Sequence, residues 1–545
     1  MAMHTRTNPA SASSRVPLPG SKRELLPNSR PAGRIDPSEI ASITVRTRAA
    51  GNIAELEKTV QDLYAQPLDK RQYLSKSELA QKYGARADDL DAIEHFAQQH
   101  NLVVSHRSAA ERSLVLTGKL GDLLRAFPAN VHMYHHSRGT YRGRQGEIFI
   151  PSQLDKVITG IFGFDTRPKH RLPHRRRMAG ASGPGGANGV AATEFAKRYN
   201  FPTQFNGKKL DGSGQCIAII ELGGGFNNSD LQIFFREIGV ALPKVAAVSV
   251  DHSGNHPTRH GADDGEVMLD IEVAGAVVPK ANIAVYFGPN QGNGFLDAVS
   301  AAVHDTQRHP GVVSISWGGP EDPGDQQAQQ AFHEVFLAAA AAGVTICAAA
   351  GDHGSADEDG VNWDHKIHVD HPAVDDLVLG CGGTQIENGV DVVWNDGTPF
   401  GNVPGGGGWA TGGGVSETVA LPAYQNDAKV PVSIASNKPG RGVPDIAMSA
   451  TDYFTRVQGS EGASGGTSAV APLMASLIAL LNQAKGKNVG FLNPFLYAHG
   501  KTVCKDVTTG TNAIKNTVKG YNAGTGWDAC TGLGTPDGTA ILNNL

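Results

Sequence analysis

The spacing of apolar residues changes character about one third of the way along the chain. From about residue 43 to 164 short segments alternate. Residues 43–46, 102–105 and 113–117 read as strands, whereas 53–64, 76–83, 88–100 and 119–127 carry apolar residues at helical spacing. Residues 131–134 and 148–150 read as a hairpin. Two βαβ-type halves over one small sheet predict a ferredoxin-like α+β sandwich. From Val190 onward, continuous apolar runs take over at 216–220, 282–287, 312–316, 344–350 and 378–380, with Ala-rich helical stretches such as 295–304 and 328–342 between them. Strands apolar on both faces belong to a parallel sheet covered by helices on both sides. The second unit is therefore predicted as a large α/β domain with a parallel central sheet. In such sheets ligands meet the C-terminal strand ends, which places Glu221, Trp317 and Asp352 at one rim.

Between the two units the pattern stops. Residues 167–177 are basic, and 178–188 are mostly Gly, Ala, Ser and Pro. Neither half has an apolar face to bury, so 167–189 is predicted as a solvent-exposed linker open to cutting. Residues 1–35, rich in Ser, Pro and Arg, are expected to be disordered. The organisation is thus 1–35, a small domain over 36–166, the linker 167–189 and a large domain over 190–545.

Composition sharpens this picture. A chain of 545 residues with 40% hydrophobic content supports two or more domains with a sizeable core. No run of 18 apolar residues occurs, so no membrane span is expected. Residues 1–35 also lack the apolar stretch of a standard signal peptide. Residues 1–189 carry 28 Lys+Arg against 17 Asp+Glu, and residues 190–545 carry 20 against 36. A basic first part and an acidic second part favour docking of one on the other. The positive charges are scattered among acids except at 170–177, which argues against nucleic-acid binding. None of the five cysteines forms a CxxC pair, so neither a zinc site nor a disulfide framework is expected. A Cys504–Cys530 disulfide stays open.

Three segments carry candidate chemistry. In Gly261-Ala-Asp-Asp-Gly-Glu266-Val-Met-Leu-Asp270, the two acids lie at i and i+4 of a predicted helix, on one face and close to its apolar side. The plain alternative is a solvated acidic face; two such close charges repel unless a proton is shared. In Gly462-Ala-Ser-Gly-Gly-Thr-Ser468-Ala-Val-Ala-Pro472, small residues lift one hydroxyl at the start of an apolar helix predicted over 473–483. The alternative is a helix-capping serine. In Ala348-Ala-Ala-Gly-Asp352-His, a buried strand ends in an acid; only a protonated carboxylic acid could donate to an oxyanion there. None of the 20 histidines sits in a recognisable base motif, and His353 reads as a loop residue. Glu266 is left as the base, with Asp270 orienting it.

Together with Glu221-Leu-Gly-Gly-Gly and Ser316-Trp317-Gly, these segments resemble the sedolisin family of serine-carboxyl peptidases, kumamolisin-like, over about residues 36–545. The resemblance implies a subtilisin-like catalytic domain behind an inhibitory prodomain that also assists folding. It implies Ser468 as nucleophile, Glu266 as general base and acid, Asp270 as its orienting partner and Asp352 as oxyanion stabiliser, with Glu221 and Trp317 extending the hydrogen-bond chain behind Glu266. Asp370 resembles a substrate-pocket acid. Two departures are His353, where many relatives have a small residue, and the extra glycine of Ser464-Gly-Gly-Thr-Ser468; neither removes a catalytic group.

The tail, Asp506-Val507 and Tyr521-Asn-Ala-Gly524-Thr-Gly526-Trp-Asp528, offers acids and glycine-loop carbonyls that suit a hard cation or, equally, a tight turn. The family resemblance implies one structural Ca²⁺, with carboxylates from Asp506 and Asp528 and carbonyls from Val507, Gly524 and Gly526. The resulting expectation is a secreted, acid-active, self-processing endopeptidase acting on proteins and peptides, monomeric by default, with the export route open. The competing readings are an inactive calcium-stabilised binding protein on a peptidase fold and an ordinary histidine-dependent subtilisin-like protease.

Overall fold

The computed structural model describes residues 14–136, 139–167, 175–178, 189–258, 261–357, 366–399, 408–514 and 519–545. In the first unit, strands Val103–Ser108, Ser113–Lys119, Ile40–Thr47 and Ile158–Phe162 lie side by side in that order, all neighbours antiparallel. Helices Ile53–Tyr64, Lys76–Tyr83 and Ala87–Gln99 fill the first crossover and Leu120–Ala126 the second. This is the strand order of two interlocked βαβ halves, as expected. Helix starts follow local chemistry: Asn52 caps one, and Ser75 forms a reciprocal capping box with Glu78.

Two expectations fail in this unit. The hairpin arms are the much longer Ala129–His136 and Gly139–Pro151, and they leave the first sheet to build a second one with Arg15–Pro17 and Arg30–Gly33 at its edges. The fourth strand of the first sheet is instead Ile158–Phe162, where Gly160 interrupts the apolar alternation. Residues 14–35 are accordingly not disordered. Val16 pairs with Ile150, and Leu18 is buried in the same core as Ile148 and Phe127. Isolated apolar residues find partners across the sheet that they lack in sequence. Residues 1–13 lie outside the described residues.

In the second unit, Lys244–Ser249, Asn282–Phe287, Cys216–Glu221, Val312–Ile315, Thr345–Ala349 and Leu379–Glu387 form a continuous parallel sheet. Ile446–Ser449 extends it in parallel and Val390–Val393 antiparallel. The apolar helices Ala262–Val277 and Thr467–Lys485 cover one face, and Gly294–His304 and Gln326–Ala341 the other. Leu56, Val60, Leu63, Tyr64 and Leu79 of the first unit are buried in the core of this second face. Arg23 pairs with Asp325 at 2.5 Å, and Arg112 with Glu334. The first domain thus docks through apolar burial ringed by the expected basic-to-acidic contacts. Helix Thr467–Lys485 is long and apolar enough to cross a membrane, but it is buried in the core.

The linker departs from expectation in two places: Arg167 is buried against Asp165 at 2.6 Å, and a second segment is paired. Arg175–Met178 runs antiparallel to Ser460–Gly465, with Arg175 opposite Gly465 and Met178 opposite Gly462. An extended run with no apolar face can still satisfy its backbone by adding to a strand edge. Residues 168–174 and 179–188 lie outside the described residues. Beyond them, Val190 N–H donates to Asp452 O (2.7 Å) and Val190 O accepts from Phe454 N–H (2.8 Å). All five cysteines are free, so no Cys504–Cys530 disulfide forms. The buried Cys530 thiol donates to Tyr521 O at 3.3 Å instead.

Candidate active site

Ser468 is the second residue of helix Thr467–Lys485, which starts well before the predicted 473. The cap is Gly466, at φ 130°, a conformation that suits glycine alone. Ser468 is therefore not the helix cap. It sits where the unpaired N–H groups of the helix start favour negative charge.

The facing helix, Ala262–Val277, is buried nearly all round, and neither Glu266 nor Asp270 has any exposed surface. A solvated acidic face is excluded. Ser468 faces the Glu266 carboxyl, whose ionised form its hydroxyl favours, and the hydroxyl itself donates to Ser316 O at 3.4 Å. Burial first, then the charges of Asp270 and Glu221, push Glu266 well above the ordinary carboxylate range, against the opposing influence of the Ser468 hydroxyl. Burial does the same to Asp270, opposed by the Ser316 hydroxyl, which donates to Asp270 Oδ2 at 2.7 Å. Glu221, the last residue of its strand, accepts from Trp317 Nε1 at 2.9 Å and is pushed up by burial and then by Asp270. So many neighbouring buried carboxyls cannot all ionise, and they hold protons between them.

Asp352 follows strand Thr345–Ala349 and is also fully buried. Its Oδ1 accepts from both Thr467 N–H and Thr467 Oγ, each at 2.7 Å. Its Oδ2 is buried and makes no hydrogen bond among the described residues. Burial pushes this carboxyl well up, against the two Thr467 bonds. With both donors on Oδ1, the proton belongs on Oδ2, which is then a donor. The loop above is set by glycine: a Cβ on Gly412 would lie 1.8 Å from Ala350 O. His353 stacks on Trp409 at 5.2 Å.

All six expected residues, Glu221, Glu266, Asp270, Trp317, Asp352 and Ser468, thus converge on one rim of the sheet. Asp370 lies behind the backbone that follows Trp317, close enough that a Cβ on Gly318 would come 2.2 Å from its Oδ1. Thr467 and Ser316 were not singled out from sequence, although both stand beside quoted residues in motifs that could have shown them.

In the tail loop, Gly526 N–H donates to Asp506 Oδ2 (2.8 Å) and Gly524 N–H to Asp528 Oδ2 (3.1 Å). Asp528 Oδ1 accepts from Cys530 and Thr531 N–H, each at 2.9 Å. The two acids are held on one glycine loop, and no atom lies within 4 Å of a Cβ built on Gly524 or Gly526. Carboxylates on an open loop fit a hard cation with oxygen ligands.

A serine at a helix start over a parallel sheet rim, behind a docked first domain, defines a serine-type endopeptidase made as a zymogen. Residues 27–167 match the pro-kumamolisin activation domain, and residues 247–522 match the subtilase family. The chain is 42% identical to kumamolisin of Bacillus sp. (strain MN-32), covering 97% of this chain and 96% of that one. It is 27% identical to tripeptidyl-peptidase 1 of Rattus norvegicus, covering 97% and 96%. Among solved structures it resembles Pseudomonas sedolisin, a serine-carboxyl proteinase, with a TM-score of 0.55 and 27% identity over 66% of this chain and 98% of that one. The chain belongs to the sedolisin family of serine-carboxyl peptidases, of kumamolisin type.

Proposed function

We propose that this zymogen becomes an acid-active endopeptidase in which Ser468 attacks peptide carbonyls with Glu266 as its base. The supporting observation is the approach of the Ser468 hydroxyl to Glu266 inside a cluster of fully buried, proton-holding carboxyls. Ser468 Oγ adds to the carbonyl carbon while its proton passes to Glu266, whose own shared proton shifts to Asp270. The developing oxyanion takes a hydrogen bond from Asp352 Oδ2–H. The C–N bond then breaks, the leaving nitrogen takes the proton from Glu266, and water repeats the sequence to free the acyl group. Acid favours this site because Asp352 must keep its proton. A carboxylate that holds a proton this firmly is also a strong enough base for a serine hydroxyl.

The pairing of Arg175–Met178 with the strand that leads to Ser468 supports self-processing within the linker. The Asp506–Asp528 loop is proposed to hold one structural Ca²⁺ through those two carboxylates and the carbonyls of Val507, Gly524 and Gly526. Such an ion would tie the tail to the domain. A secreted monomer acting on proteins and peptides completes the reading. The complete carboxyl and serine set argues against an inactive binding protein, and the carboxyl base against a histidine-dependent enzyme.

The precursor and its Ser468→Ala variant, incubated with casein at about pH 4 and about pH 8, test the reading. Self-shortening and casein cleavage in acid, by the Ser468 form alone, are expected. Equal activity at pH 8, or in the variant, would sink it. Chelator should lower the thermal midpoint of the Ser468→Ala precursor, and Asp528→Ala should abolish that response. At a hundredfold excess of Ca²⁺ over Kd, the stabilisation expected is about 2.7 kcal/mol.

A further inference from the structure

We infer that Ser316 is a positioning residue for the Glu266–Asp270 pair, fixing which oxygen of Asp270 exchanges a proton with Glu266. The inference rests on the catalytic reading above. Ser316 is fully buried just past strand Val312–Ile315. Its hydroxyl donates to Asp270 Oδ2 at 2.7 Å and also reaches Ser468 O at 3.2 Å. Its own carbonyl lies 3.4 Å from Ser468 Oγ. One residue therefore touches both the orienting acid and the nucleophile.

The contact with Ser468 O has a cause in the sequence. Pro472 lies inside helix Thr467–Lys485 and has no N–H. The carbonyl four residues earlier, that of Ser468, therefore lacks its intrahelical donor. Ser316 Oγ is the hydroxyl within reach. Having one proton, it favours the shorter, charge-assisted bond to Asp270 and remains close to the helix start.

For the pair this has a directional consequence. A proton on Asp270 Oδ2 would point at the Ser316 hydroxyl and disrupt its bond. Oδ1 is buried and accepts no hydrogen bond among the described residues, so it is the oxygen left for Glu266. The hydroxyl also favours the ionised form of Asp270, which lets the pair release a proton at lower pH. The other charges facing the pair, Glu221 and Asp352, are carboxyls and act in the opposite direction.

The test is the rate of self-shortening of the full-length precursor across pH for the wild type, Ser316→Ala and Ser316→Thr. Ser316→Ala should be at least tenfold slower at its optimum, with the acid limb of its profile moved to higher pH. Ser316→Thr keeps the hydroxyl and should follow the wild-type limb. Superimposable Ala and wild-type profiles, or a Thr profile displaced as far as that of Ala, would overturn the role. If thermal melts show that Ser316→Ala does not fold, Ser316→Cys, similar in volume but a weaker donor, replaces it with the same expected displacement. A wild-type precursor that never shortens would overturn the catalytic reading itself, and this inference with it.

Discussion

Residue by residue, the site is a problem of where protons sit. Both Thr467 donors converge on Asp352 Oδ1, so removing the side chain and removing only its acidity should differ. Asp352→Ala is expected to lower kcat about 10²–10³-fold, as loss of one oxyanion donor does elsewhere. Asp352→Asn keeps an acceptor for Thr467 and an N–H near the Oδ2 position, and should lose less. Steady-state rates of both variants at pH 4 decide this, and equal losses would refute the assignment of the proton to Oδ2. The carboxyls also set a stability trend. Glu221, Glu266, Asp270 and Asp352 all have folded-state pKa values raised above 3.8 or 4.5. At these four groups the folded protein binds more protons than the unfolded chain above about pH 4, and the stability they contribute falls as pH rises. Thermal midpoints of the Ser468→Ala precursor should drop between pH 4 and pH 8, and Asp270→Asn should flatten that drop. The identity of the acids was legible in short motifs. The Thr467–Asp352 contact was not, because it joins residues 115 apart.

At the level of single elements, helix Thr467–Lys485 carries Ser468, the proposed nucleophile, on a start that glycine alone can shape. Gly466→Ala forces a side chain onto φ 130° and should cost roughly 1–3 kcal/mol. Denaturant titration in the Ser468→Ala background measures this, and an unchanged midpoint would show the start to be more tolerant. Sequence reading placed this helix six residues late because small and polar residues at its start mimic a loop. The Ile53–Tyr64 helix was legible to the residue, since its periodicity and its Asn52 cap agree. The hairpin was recognised, but its sheet was not. Which strand edge an arm joins depends on partners such as Val16 and Ile150, 134 residues apart.

The whole molecule is two domains held by an apolar seam with charged edges. Glu334 shows how acid could loosen it. Burial pushes its carboxyl up, but Arg112 and Arg46 of the first domain more than offset that, and the net shift is downward. Its contribution to docking is present above its ordinary value of 4.5 and is lost as pH falls through the lowered one. Asp297, beneath Thr44 of the first domain, is pushed up by burial and Asp251, so it still holds its proton in that window and does not oppose release. After linker cutting, gel filtration should show the first domain retained at pH 7 and released below about pH 4. Glu334→Gln should weaken retention at pH 7 and reduce the difference; unchanged retention would place the trigger elsewhere.

Val190 is already stitched to Asp452 and Phe454 while the first domain is attached. A cut upstream within 179–188 would thus create a new chain end whose seat exists beforehand. Nothing in the catalytic domain needs to be threaded, inserted or rebuilt there. Maturation would then be timed by hydrolysis and by the departure of the severed domain, without a lag for rearrangement at the new amino terminus.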